Sequence, residues 1–201
     1  MKISGNLSVS VISFGKKIPV ATCKVRNNET RKFVPARLYE FDCKDEADIQ
    51  EVKNLPLGWS FATTISSEMR AKKVAREKYD ISTGHSFYVL KDNNDSTIGI
   101  CSLKNDKDNF GVKFIETVTD GSYKYSGQSI LAALALIGIH DKKDKFEIRY
   151  PTDEAKDFYT SKCGFKQGDN LYHLQMDKKG MKKLVKKVQQ RTHASVVDIR
   201  V

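Results

Sequence analysis

The residues best able to do chemistry lie where one strand-like stretch gives way to an apolar helix. After Thr119 the chain reads DGSYKYSGQS and then runs into SILAALALIGI. A glycine-containing turn feeding a helix N-terminus presents unpaired backbone N–H groups and the positive end of the helix dipole, which together can seat a pyrophosphate. The same pattern also describes an ordinary strand-to-helix turn. Just upstream, strict alternation places Glu116 on one face with Val112, Phe114 and Val118, where an apolar side chain is expected. A carboxylate there would face a cleft and could take a proton, unless a register break turns it to solvent or to a neighbouring lysine. Downstream, YPTDEAKDFYTSKCGF carries Tyr159, whose phenol has an ordinary pKa of about 10 and could donate a proton or simply pack beside Phe158.

Other chemistries lack their residues. His85, His140, His173 and His193 are scattered, which gives no support to a Ser/His/Asp arrangement. His85, just before a strand, remains a candidate for a water-mediated base, although a loop histidine is commonly a solvated one. Cys23, Cys43, Cys101 and Cys163 form no CxxC pair and have no histidine at metal-ligand spacing, so neither a zinc site nor a disulfide framework is expected, and a reducing cytosol is the default. Cys163, before Gly164 at a helix end, reads as an apolar filler and not an acyl carrier.

The elements that must position these groups follow from periodicity. Residues 7 to 14 and 18 to 25 read as a hairpin, 34 to 41 as a third strand, and 42 to 55 and 59 to 78 as helices. Strands at 87 to 90, 97 to 103 and from 109 onward form a meander. The segment after Gly127 is apolar on every side and rich in alanine, as a helix buried against a sheet should be. A strand at 145 to 150, a helix ending at Gly164 and a strand at 171 to 176 complete the order. In the tail from Lys178, Met181, Leu184, Val185 and Val188 recur at helical spacing among lysines, and SVVDIRV is a possible last strand.

At Lys124, Tyr125, Ser126, Gly127, Gln128 and Ser129, and again at Ala155, Phe158, Tyr159, Gly164 and Phe165, the chain resembles the GNAT (Gcn5-related) N-acetyltransferases as a divergent member. That family carries a pyrophosphate loop of form [Q/R]xxGx[G/A] opening its central helix. Here Lys124 stands for the usual Gln or Arg, Ser129 for Gly or Ala, and Tyr159 lies one residue further from Gly164 than is common. The resemblance covers roughly residues 34 to 176. It implies an α/β (α+β) fold with a mixed, mainly antiparallel central sheet flanked by helices, acetyl-CoA as co-substrate, and a V-shaped opening between two central strands. It also implies direct attack by a substrate amine, with Val118, Thr119 and residues 124 to 129 holding the cofactor. A backbone N–H freed by a bulge near Val118 would serve the oxyanion, Glu116 would be the base and Tyr159 the acid.

With 201 residues, 39% hydrophobic, the chain suits one domain with extensions: an N-terminal hairpin over 1–33, an acetyltransferase-like domain over 34–177, and a basic C-terminal helix and tail over 178–201. The longest apolar run, from Ile130 to Ile139, is too short to cross a hydrocarbon core of about 30 Å, and the first residues lack a secretory signal's apolar middle. A cytoplasmic protein is expected, or one delivered into a host cell. The net charge of +10 favours acidic or phosphate-rich partners. The expected acceptor is a protein lysine or N-terminus, with an aminoacyl-tRNA, in the manner of the family's toxin members, as the alternative. A fold that has lost catalysis and serves as a binding module is a further alternative, as is a polyanion-binding protein. The basic tail could grip RNA, an acidic protein surface or CoA phosphates, or present a solvated face while its apolar stripe docks.

Overall fold

Alternation writes the first strand: Ala21, Cys23 and Val25 are buried at every second position of β1 (Ala21–Asn27), so one face of the strand lies on the core. The computed structural model describes residues 19–41, 85–118 and 120–198. The strand expected at 7 to 14 and the helices expected at 42 to 55 and 59 to 78 lie outside the described residues. On one side β1 pairs antiparallel with β2 (Phe33–Phe41). The meander β3 (His85–Lys91), β4 (Thr97–Asn105) and β5 (Asn109–Thr117) continues the sheet from β2, each strand antiparallel to the last.

After a two-residue strand, β6 (Tyr123–Lys124), the chain enters α1 (Ser126–His140). Ile130, Leu131, Leu134 and Ile137 of α1 are fully buried, each worth about 1.5–3 kcal/mol relative to exposure. Gly138 allows close approach, because a Cβ there would meet the Phe110 ring at 3.2 Å and Met181 Sδ at 3.4 Å. The helix returns the chain to β7 (Lys145–Arg149), which pairs in parallel with β5. A short helix, α2 (Asp153–Asp157), runs on into a wide π-helical turn over Phe158–Cys163, closed by Gly164 at φ 86°.

β8 (Lys166–Gln167), β9 (His173–Asp177), α3 (Lys178–Thr192) and β10 (Val197–Asp198) complete the described chain. The strands form one mixed sheet in the order β10-β1-β2-β3-β4-β5-β7-β9-β8, with β6 also on β1. Among the described strands β5 and β7 are the one parallel pair, so the sheet is mainly antiparallel, as expected. The basic tail docks as its spacing foretold. Met181, Leu184, Val185 and Val188 are buried while its lysines stay outside, and Asp177 caps the helix by accepting from Gly180 N–H at 2.7 Å.

Candidate functional site

The site begins where β5 leaves β7. Their pairing runs from Asn109 opposite Lys145 to Val112 opposite Ile148 and stops there. On its other edge β5 carries one extra residue, Lys113, because Ser102 faces Phe114 whereas Leu103 faces Val112. This bulge lies five residues before the place expected for it. It also breaks the alternation by which Glu116 was assigned to the face of Val112; Glu116 is buried nonetheless, at 4% exposure. The Val118 N–H is not free, since it donates to Ile98 O at 3.2 Å. Alternation along β5 instead turns the amides of Ile115 and Thr117 towards the edge that β7 has left.

Beyond β5, a set of ties fixes the start of α1. Ser122 N–H and Oγ both donate to Asp120 at 2.8 and 2.5 Å, and β6 lies against Arg26 and Asn27 of β1. The Tyr123 hydroxyl donates to Asp92 Oδ2 at 2.6 Å, while the other oxygen of buried Asp92 accepts from Asn94 and Ser96 in the β3–β4 turn. Tyr125, the N-cap residue, takes a left-handed conformation at φ 70° and stacks on Phe33 at 6.2 Å. Its carbonyl accepts from Ser129 N–H at 2.9 Å, which leaves the N–H groups of Ser126, Gly127 and Gln128 without intrahelical acceptors. The Ser126 Oγ is buried with no partner among the described residues. Polar atoms in such positions normally find a partner, and Ser126 also belongs to the wall of a cavity, although its Oγ is itself covered.

The residues expected to hold a cofactor divide accordingly. Tyr125, Ser126, Gly127 and Gln128 line one cavity of about 620 Å³ together with Glu116, Tyr159, Ile115, Thr117, Tyr123, Phe158, Lys162 and Arg191. Lys124 is exposed and lies opposite Arg26 in the sheet, outside that lining. Ser129 Oγ donates to Lys24 O at 2.8 Å and ties α1 to β1 instead. Gln128, although in the lining, is committed to the fold. Its Nε2 donates to Lys162 O at 2.9 Å and its Oε1 accepts from Arg191. Half-buried Val118 is outside the lining, and Thr119 lies outside the described residues.

Tyr159 reaches the cavity because the π-helical turn takes up the extra residue between it and Gly164. Its ring is buried against Phe158 at 5.2 Å and Phe165 at 6.2 Å. Burial holds the phenol above its ordinary range, so it keeps its proton throughout the neutral region. A second cavity of about 130 Å³, bordered by Lys113, Phe114, Tyr150 and Pro151, shares Ile115 and Tyr159 with the first. The two spaces thus lie on either side of Ile115 and Tyr159, next to the splayed strands. Cys163 is buried and its thiol is pushed up to about 12, chiefly by burial, in keeping with an inert filler.

Arg191 and Lys162 escaped the sequence reading. Arg191 lies three residues after Val188 and beside Thr192, on the border of the buried stripe of α3. Its helical position marks it as half-buried, but not which neighbour it meets.

The splayed parallel pair, the central helix entered from a left-handed turn and the buried tyrosine after the next strand define the fold of the GNAT acetyltransferases. Solved structures bear this out. Over 85% of this chain and 97% of the other, the fold matches apo FdhC, described as a nucleotide-linked sugar GNAT, with a TM-score of 0.53 and 16% identity. AtaTR bound with AcCoA matches over 74% of this chain and 97% of the other, with a TM-score of 0.55 and 14% identity. A GNAT-family acetyltransferase from Staphylococcus aureus MU50 matches over 71% and 99%, with a TM-score of 0.53 and 13% identity. No family model and no curated protein matches the sequence.

Proposed function

We propose that the protein is an acetyl-CoA-dependent N-acetyltransferase that acts on a primary amine of a protein, a lysine or an N-terminus, by direct attack. One observation carries the reading: the first turn of α1, with three N–H groups that lack intrahelical acceptors, lines a cavity of about 620 Å³ through Ser126, Gly127 and Gln128, and the same cavity reaches Glu116 and Tyr159. That donor set fits a diphosphate, which accepts hydrogen bonds from N–H groups and is favoured by the helix dipole. Acetyl-CoA, when bound, supplies a thioester with a good leaving group.

In this reading Ser126, Gly127 and Gln128 hold the diphosphate, and the splay beyond Val112 admits the pantetheine arm. Glu116 accepts the proton that the attacking ammonium must lose. The N–H groups of Ile115 and Thr117 are placed to stabilise an oxyanion, and the Tyr159 hydroxyl gives its proton to the departing thiolate. The acceptor enters from the side of the smaller cavity, which shares Ile115 and Tyr159 with the first. The net charge of +10 favours an acidic macromolecule as the acceptor's carrier, and would equally suit a charged tRNA.

The test is mass spectrometry of a cell lysate incubated with the protein and isotope-labelled acetyl-CoA. Labelled acetyl groups on lysines or N-termini, together with release of free CoA thiol, are expected. Binding of acetyl-CoA with neither labelling nor thiol release would contradict catalysis and leave a ligand-binding module.

A further inference from the structure

We propose that Arg191, on the C-terminal helix α3, is the cation that pairs with a phosphate of the CoA donor. The inference rests on the donor reading above and adds to it a residue outside the stretch that resembles the acetyltransferases. Arg191 lines the cavity beside Ser126, Gly127 and Gln128. Its guanidinium lies over the Tyr125 ring at 4.6 Å, and one Nη donates to Gln128 Oε1. Those two contacts fix the plane of the group and use one of its five donors, leaving the rest of the fork for an acceptor.

Nothing else among the described residues neutralises it. No carboxylate there lies within ion-pair distance of Arg191, in contrast to Arg149, whose guanidinium is held by Asp106 at 2.7 Å and Glu147 at 3.2 Å. A half-buried cation aimed at a helix N-terminus calls for an anion between them. The cation in the loop itself does not serve, because Lys124 is exposed on β6 and outside the cavity lining. Lys162 adds a second positive side chain to that lining, and its carbonyl, bonded to Gln128 and to Lys187 Nζ, fastens the π-helical turn to α1 and α3. The basic tail is thus a wall of the donor site as well as a docked helix.

The experiment compares calorimetric affinities for CoA and for pantetheine, its phosphate-free arm, in the wild type, Arg191→Gln and Arg191→Lys. Glutamine removes the charge and, being shorter, also gives up the bond to Gln128, a loss that both ligands would feel, so the difference between CoA and pantetheine isolates the charge. Arg191→Gln should weaken CoA binding by about 10- to 100-fold more than it weakens pantetheine binding, the range for a charge-assisted hydrogen bond. The CoA affinity of the wild type should also fall more steeply with salt than that of Arg191→Gln. Equal weakening of both ligands, or unchanged CoA affinity and salt dependence, would overturn the proposal while the donor reading stands. A wild type that binds neither ligand would overturn the donor reading itself. Should Arg191→Gln fail to fold by circular dichroism, Arg191→Lys carries the test. It keeps the charge and should keep the preference for CoA over pantetheine within a few-fold; loss of that preference would overturn the proposal.

Discussion

Glu116 and Gly127 make the most specific claims of single residues. A carboxylate that takes the amine's proton matters most where the amine is still protonated. Glu116→Gln should therefore lower turnover by about 100-fold or more near neutral pH, and by less as the medium itself deprotonates the amine. An unchanged pH profile of kcat/KM would remove Glu116 from the chemistry. At Gly127 a Cβ would lie 3.2 Å from Phe158 Cζ, tight before any branch is added. Gly127→Val must either push that ring or crowd the mouth of the cavity, at a cost of about 1–3 kcal/mol. The expected result is a roughly tenfold or greater loss of CoA affinity by calorimetry; unaltered affinity would show that the diphosphate sits elsewhere. The sequence drew notice to both because each departs from a local pattern, a glycine at a helix start and an acid in an apolar alternation, although the bulge at Lys113 interrupts that alternation before Glu116. Arg191 breaks none, since an arginine in a lysine-rich helix resembles every other solvated cation until α1 is packed against it.

Among the elements, the loop before α1 depends on a residue far from it in sequence. Buried Asp92 accepts from Asn94 and Ser96 in its own turn and from the Tyr123 hydroxyl across the fold. Asp92→Ala would remove the acceptor shared by these donors, at about 1 kcal/mol because Asn94 and Ser96 are exposed and water can replace part of the loss. A lower thermal midpoint and weaker CoA binding are expected together; an unchanged midpoint would contradict the anchoring role. The long elements could be read from the chain because burial repeats along them: every second residue of β1, every side of α1, one stripe of α3. The bulge at Lys113 could not, because a residue is extra only relative to the strand it faces, and that pairing is not written locally. The same holds for β6 and β8, two residues each, which exist only through their partners. The π-helical turn was half visible. The extra residue before Gly164 could be counted, but its absorption in a widened turn that sends Tyr159 inward is a matter of packing.

Across the whole molecule, burial keeps three thiols protonated well above their ordinary range. Burial raises the thiol of Cys23 from 9.0 to about 12, with that of Cys163 moved similarly and that of Cys101 also raised. The folded protein thus keeps protons that the unfolded chain gives up above pH 9, and the unfolded state binds fewer protons in that range. The contribution is fully present below about pH 8 and is lost as pH climbs from 9 towards 12. Urea midpoints should be level between pH 7 and 8 and fall by pH 10; a midpoint that rises there would contradict the burial of these thiols. None of the described helices is long and apolar enough to cross a membrane, so the apolar content of α1 belongs to the core. The account turns on the corner where α1 begins. The most direct measurement is a crystal structure of the protein soaked with CoA. Diphosphate oxygens within hydrogen-bond distance of the N–H groups of Ser126, Gly127 and Gln128 are the expected result. CoA bound elsewhere, or that corner filled by the protein's own side chains, would contradict it.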